Sequence, residues 1–192
     1  KKNSRGYYIE KASKFIAYAY PIYSVDTFKL KLQEIKKKEN SANHYCYAYR
    51  LHPDKSEFRF SDDGEPAYTA GKPILKQIDY YNLTNILIIV VRYFGGIKLG
   101  IPGLIRSYTT ASINAIEGSE FVTRLIQEKY IVFFEIQYIQ DVMSFIKRHN
   151  LDILESSFNK KSQVIFLAPK TKSDLIRSYF NQYHKIELKY AY

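Results

Sequence analysis

The stretch Ile86-Leu87-Ile88-Ile89-Val90-Val91-Arg92 places six consecutive leucine or β-branched side chains before an arginine. Six residues is an ordinary strand length, and a run without polar alternation is typical of a strand that is covered on both faces. The stretch therefore predicts a central strand of a sheet, with packing against each side of it.

The residues around this strand predict more strands and helices in the first part of the chain. Alternating side chains predict strands over residues 15–20, 44–52 and 58–60. Apolar residues at helical spacing predict one helix after Ser24, another from Pro73, and a third that stops near Gly118. Together these elements predict an α+β fold.

A second pattern begins beyond a charged connector at residues 123–129. It predicts strands over residues 130–138, 151–158, 163–168 and 186–190, helices over residues 141–150 and 173–183, and a hairpin turn at Asn159-Lys160. The order is βαββαβ, which is the ferredoxin-like arrangement. We therefore expect two domains, over residues 1–122 and 123–192.

The composition is that of a globular protein, with 46% hydrophobic and 25% charged residues. Charges interrupt every apolar run well before the roughly 20 residues that span a bilayer. Glu10 and Lys11 interrupt the N-terminal segment where a signal peptide needs an apolar core. Cys46 is the only cysteine, which excludes an intrachain disulfide. We expect a cytoplasmic protein without a membrane segment.

The net charge is +10, and it is spread along the chain. Residues 1–120 carry 18 basic and 12 acidic side chains, and residues 121–192 carry 11 and 7. Such an excess favours an acidic partner such as RNA, the ribosome or an anionic lipid, but it does not choose among them.

A glycine-rich loop from Arg92 to Gly103 joins the central strand to a helix. Glycines allow backbone N–H groups to approach an anion, the helix N-terminus adds partial positive charge, and aromatic rings can stack on bases. Nine residues form the predicted nucleic-acid or phosphate-binding site: Arg92, Tyr93, Phe94, Gly95, Gly96, Lys98, Gly100, Gly103 and Arg106. The alternative is that the glycines serve tight turns and that the aromatic pair packs in the core.

An acidic loop, residues 61–72, precedes the second helix and carries Asp62, Asp63, Gly64 and Glu65. Three nearby carboxylates can collect Mg²⁺ or perform acid–base chemistry, particularly with His44 beside them. The structural interpretation is stronger, because Asp and Asp-Gly pairs are favoured in turns, where they bind local backbone N–H groups. We therefore assign these four residues a supporting role and expect neither a metal nor a cofactor.

No catalytic arrangement is evident in the sequence. Ser61 has no base assigned to it, and the glycine-rich loop lacks the Gly-Lys-Ser/Thr ending of a P-loop. Cys46 lies in an alternating strand without a paired base, so we expect an inert, buried thiol. These features indicate a binding protein rather than an enzyme.

Read together, the two loops and their flanks closely resemble the motifs of the Impact family, in the same order and spacing. The segments that carry the resemblance are residues 44–50 (HYCYAYR), 60–66 (FSDDGEP), 69–73 (TAGKP) and 91–100 (VRYFGGIKLG). The resemblance extends over about residues 10–120, and the βαββαβ remainder is similar to the second domain of bacterial, YigZ-like members. Two residues depart from the pattern, since Tyr68 and Pro102 stand where glycine is usual.

The resemblance implies a first domain like ribonuclease PH and domain 2 of a small-subunit ribosomal protein, with a mixed sheet and helices on one side. It implies a second domain resembling a domain of elongation factor G. For function, it implies a link to translation: eukaryotic relatives regulate initiation by competing for an activator of a kinase that phosphorylates an initiation factor. For bacterial relatives it implies nucleic-acid binding.

Three hypotheses for function follow. The first is a translation-associated protein that binds RNA or the ribosome through the glycine-rich loop. The second is an adaptor that binds a protein partner in translational control. The third is an enzyme that uses a metal and a phosphate compound, with the acidic loop lying beside the basic one.

Overall fold

The chain folds into two compact units, one ending at Val122 and the other beginning at Thr123. The structure is a computed structural model, and it describes residues 4–159 and 162–191. The first unit contains, in chain order, β1 (Ser4–Glu10), β2 (Ser13–Pro21), α1 (Val25–Lys38), β3 (His44–Leu51), β4 (Glu57–Ser61), α2 (Gly71–Tyr80), β5 (Ile86–Tyr93) and α3 (Gly100–Glu117).

The five strands of the first unit form one sheet in the order β1-β2-β5-β3-β4. Every neighbouring pair in this sheet is antiparallel. The predicted central strand is β5, whose residues from Ile86 to Arg92 are all buried. The expectation of a central strand covered on both faces is therefore confirmed.

The two faces of this sheet are covered by different helices. On one face, Phe28 of α1 packs against the rings of Tyr47 and Tyr49, at centroid distances of 4.8 and 4.9 Å. On the other face, α2 and α3 pack against the small and apolar residues of β2, β3 and β5. The α+β class is confirmed, but a mixed sheet with helices on one side is wrong. A central strand with apolar side chains on both faces needs a helix on each.

The strand β1 was not expected from the sequence. It pairs with β2 through a two-residue turn, Lys11-Ala12, in which both residues have positive φ values of 44° and 64°. Glycine or asparagine usually marks such a turn, and neither is present here. Gly6 of β1 lies directly under α3, because a Cβ atom at this position would stand 2.4 Å from the backbone oxygen of Ala111.

The second unit has the predicted order of elements: β6 (Gln127–Phe134), α4 (Ile139–Arg148), β7 (Asp152–Ser157), β8 (Ser162–Pro169), α5 (Ser173–Asn181) and β9 (Ile186–Ala191). Its sheet has the strand order β7-β8-β6-β9 with antiparallel neighbours, and α4 and α5 contribute to one shared core. The ferredoxin-like arrangement is confirmed. Of the predicted hairpin turn, Lys160 lies outside the described residues.

Among the described residues, no helix has the length and apolar character needed to cross a membrane. The connector between the units, residues 119–126, has no regular secondary structure, and its side chains are exposed from Glu120 onward.

We predict that trypsin cleaves the native protein first in this connector, at Arg124, because exposed backbone without regular hydrogen bonds is the preferred site of nicking. Limited proteolysis followed by mass spectrometry should give two resistant fragments, one from each unit. An indivisible core with no cut between Gly118 and Tyr130 would contradict the two-domain interpretation.

Candidate functional site

A buried ion pair joins the acidic loop to the start of the glycine-rich loop. Arg92, near the end of β5, donates from Nη1 to Oε1 of Glu65 at 2.6 Å. The two side chains are 6% and 3% exposed. The guanidinium also lies over the rings of Phe15 and Phe94, and its Nη2 donates to the hydroxyl of Ser13 at 3.4 Å. Among the described residues, its Nε has no hydrogen-bond partner.

The ion pair continues into a buried polar network on the α3 side of the sheet. The hydroxyl of Tyr108 donates to Oε1 of Glu65 at 2.7 Å, and the Cys46 thiol donates to that hydroxyl at 3.3 Å. The thiol also lies 3.0 Å from the carbonyl oxygen of Asp62. Burial raises the pKa of Cys46 and the pKa of Tyr108, so both groups stay protonated at neutral pH.

The aspartates of the acidic loop are engaged by backbone N–H groups. Asp62 accepts from Ala70 and Gly71 at 2.9 and 2.8 Å, so it caps the N-terminus of α2. Asp63 accepts from the N–H of Tyr45 at 2.7 Å. These contacts order the loop, which is the supporting role expected for it. Its Gly64 has a φ of +86° and lies beside the ring of His44.

The glycines of the basic loop fill different structural needs. Gly95 passes so close to the β1–β2 turn that a Cβ atom would lie 2.1 Å from the backbone of Ala12. Gly96 and Gly100 have φ values of +85° and +69°, which glycine adopts without strain. At Gly103, inside α3, a Cβ atom would lie 3.0 Å from Leu99. The packing interpretation of these glycines therefore has direct support.

The other predicted binding residues of the loop lie at the surface or at its edge. Tyr93 donates its hydroxyl to Glu39 at 2.7 Å, and the ring of Phe94 is about half exposed. Lys98 is exposed, and no carboxylate in the described residues pairs with it. Arg106 is exposed and pairs with Glu10 at 3.0 Å.

The three predicted phosphate-binding cations therefore differ in their exposure to solvent. Lys98 and Arg106 are at the surface, as a phosphate contact requires, whereas the expected exposed phosphate contact by Arg92 is contradicted by its burial. The physical reason is the partner: Glu65, assigned to the supporting loop, neutralises Arg92 in the interior. A sequence cannot show which arginine of a basic loop points inward.

A row of exposed apolar side chains along the same loop and the start of α3 was not predicted from the sequence. The row consists of Phe94, Ile97, Ile101 and Ile105. Ile101 and Ile105 lie four residues apart in α3, a spacing that places both side chains on one face of the helix, and Ile97 lies in the loop just before it. The four-residue spacing of these isoleucines was the feature of the sequence that could have indicated the row. A contiguous exposed apolar patch is typical of a protein-binding surface.

No cluster of three or more His, Cys, Asp or Glu side chains that could hold a metal occurs among residues 4–159 and 162–191. In the acidic loop, the carboxylates of Asp62, Asp63 and Glu65 face backbone N–H groups, Arg92 or Tyr108. Most of their oxygens are therefore committed to internal contacts.

Comparison with known proteins identifies the family of the chain. Residues 11–116, more than half of the chain, match the family model of the Impact N-terminal domain. The chain belongs to the Impact family. An IMPACT family member of Haemophilus influenzae is 31% identical to this Impact-family chain over 157 residues, which cover 81% of the chain and 76% of that relative.

Two more similarities cover different shares of this Impact-family chain. YigZ of Escherichia coli is 39% identical over 100 residues, about half of each protein. A crystal structure of a hypothetical protein aligns with 99% of the chain and 94% of its own length, at 25% identity and a TM-score of 0.70. The similarity in structure thus extends across both units, whereas the family model covers only the first.

We predict that Arg92→Ala destabilises the protein by about 3–5 kcal/mol, because it leaves the Glu65 carboxylate buried without its cation. Urea unfolding followed by circular dichroism measures the loss. Lys98→Ala, which removes an exposed charge from the same loop, should change the stability by less than about 0.5 kcal/mol. Equal effects of the two substitutions would show that the ion pair is not structural.

We also predict that Cys46 does not react with a thiol reagent in the native protein. The thiol is fully buried and its pKa is raised, so it provides little reactive thiolate at pH 8. Ellman's reagent should modify one thiol per chain in guanidinium chloride and none in buffer. Rapid native modification would indicate that the network around Tyr108 opens.

Proposed function

We propose that this Impact-family protein is a translation-associated protein that binds RNA or the ribosome through the basic loop of its first unit. Family membership supports the link to translation, which the motif resemblance implies for eukaryotic relatives. The observation that carries the binding proposal is the exposure of Lys98, two residues before α3, and of Arg106, in the second turn of α3.

Among the described residues no carboxylate pairs with Lys98, whereas a phosphate at Arg106 would replace the Glu10 carboxylate, which lies 3.0 Å away. The carboxylates of the facing acidic loop are directed at backbone N–H groups, Arg92 or Tyr108, so they do not compete with a phosphate at the surface. α3 also begins without a side-chain cap, and its first N–H groups carry the partial positive charge of the helix. Pro102 has no N–H group, so the helix supplies fewer donors than a glycine there would allow.

A protein-binding adaptor is the second candidate, and the row of Phe94, Ile97, Ile101 and Ile105 favours it. The three isoleucines contribute little to RNA binding, but together with Phe94 they suit a protein partner that buries them. The two functions are compatible on one surface, because a ribosomal partner presents both protein and RNA.

A metal-dependent hydrolase has less support. Asp62 and Asp63 would have to release the N–H groups that they bind, and with them the start of α2, to coordinate a cation. We place the proposed function in the cytoplasm, where translation takes place.

We predict that Lys98→Ala and Arg106→Ala each weaken RNA binding and reduce the slope of log affinity against log salt by about 0.7, the value for one phosphate contact to a single strand. The measurement is fluorescence anisotropy of a labelled single-stranded RNA across a salt series. Lys37→Ala is the matched control, because it removes an exposed lysine from α1 on the opposite face of the sheet.

If Lys37→Ala has the same effect as the two loop substitutions, binding depends on net charge and the loop is not the site. If the wild type binds neither RNA nor ribosomes, the adaptor takes precedence. In that case Ile101→Asp and Ile105→Asp are the variants to compare in partner binding.

A further inference from the structure

Two exposed tyrosines and two exposed lysines follow one another from the end of the acidic loop along α2. Tyr68, just before the helix, is 59% exposed, and Tyr80, at its last turn, is 80% exposed. Lys72 and Lys76 lie between them, and both are exposed. These four residues are called the α2 stripe.

The spacing makes the stripe continuous. Lys72, Lys76 and Tyr80 follow one another every four residues, so they share one face of α2 over about 12 Å. Tyr68 extends this line, because the Nζ of Lys72 lies 4.9 Å from the centre of its ring. The stripe thus presents an aromatic ring at each end and two cations in the middle.

The two rings are held in place by the surrounding structure. Tyr68 has a φ of +63°, a strained value for a side chain other than glycine, and its N–H donates to Asp62 at 2.9 Å. The ring of Tyr80 meets the ring of Tyr81 edge to face at 5.3 Å, and the Tyr81 hydroxyl donates to Glu117 at 2.9 Å. The backbone of Tyr68 and the ring of Tyr80 are thus positioned by neighbouring groups, while both rings remain exposed.

The electrostatics of this face favour an anionic ligand. The acid on the same face of the helix is Asp79, and Arg50 binds it with two hydrogen bonds of 2.6 and 3.0 Å. The positive charge of Arg50 in β3 therefore balances the negative charge of Asp79. Within the described residues, no carboxylate forms an ion pair with Lys72 or Lys76.

A shallow depression of about 720 Å³ lies beside the stripe, between α2 and α3. Its lining includes Lys76 and Tyr80 of the stripe, the amide of Gln77 and the carboxylate of Glu117. The amide and the carboxylate are groups that bind the edges of unpaired bases.

We propose that the α2 stripe is a stacking surface for single-stranded RNA, with Tyr68 and Tyr80 against bases and Lys72 and Lys76 against phosphates. This proposal rests on the proposed RNA-binding function and adds to it the element that distinguishes single strands from duplexes. Rings that flank a pair of cations suit a strand whose bases are free to stack and whose phosphates lie between them. The apolar row at Ile97, Ile101 and Ile105, by contrast, has aliphatic side chains that suit a protein.

The test uses the full chain, a fluorescein-labelled 12-nucleotide oligouridylate and a duplex RNA of the same length. Tyr80→Leu should weaken binding of the single strand by roughly 5- to 100-fold, with the salt slope unchanged, because stacking is lost and no charge is removed. Tyr80→Phe should bind as the wild type does. Lys72→Ala should reduce the salt slope by about 0.7.

Tyr68→Gly separates binding from folding. Glycine relieves the positive φ at this position, so the melting temperature should rise while affinity for the single strand falls. Tyr23→Leu is the matched control, since Tyr23 is 65% exposed and precedes α1. It should change neither quantity. Duplex binding should be insensitive to all of the tyrosine substitutions.

The outcomes distinguish this proposal from the one on which it rests. If the wild type binds the oligouridylate but Tyr80→Leu and Tyr68→Gly match it, the stripe is not the stacking surface and RNA binding by the basic loop stands. If the wild type binds no RNA of either kind, both proposals fail. If the variants lose duplex and single-strand binding equally, stacking is excluded.

Discussion

The buried ion pair between Arg92 and Glu65 is the contact on which the arrangement of the two motif-bearing loops depends. A charge in the interior is costly unless it is paired, so each residue fixes the position of the other. Through this pair, the end of the central strand is tied to the acidic loop, and through Tyr108 the same carboxylate is tied to α3. The two loops that carry the family motifs are thus parts of one buried network, and the surface residues are displayed from it.

Much of the fold could be predicted from the sequence, because it rests on strong periodic signals. The run from Ile86 to Val91 is fully buried, and the βαββαβ order of the second unit is as expected. The sequence did not reveal β1, because its turn at Lys11-Ala12 has no glycine or asparagine to mark it. The expectation of helices on one face was wrong. It followed from the family resemblance, whereas the apolar side chains of β5 require cover on both faces of the sheet.

The site could be predicted only in part, and the reason is the direction of side chains. Lys98 and Arg106 are at the surface as expected, but nothing in a basic segment shows that Arg92 points inward to a carboxylate 27 residues away along the chain. The exposed isoleucines and the α2 stripe were missed for another reason. They have regular four-residue spacing, yet apolar and aromatic residues at that spacing are usually assigned to a core.

Asp62 gives the segment that follows it a fixed length. Its carboxylate accepts hydrogen bonds from the N–H groups of Tyr68, Ala70 and Gly71. These bonds hold the start of α2 against Asp62, so the number of residues between them is fixed. An inserted or deleted residue there would shift all three donors and leave the helix uncapped. The connector at residues 119–126, which is exposed and irregular, can absorb such changes. Length variation among related sequences should therefore collect in the connector and be absent from the acidic loop.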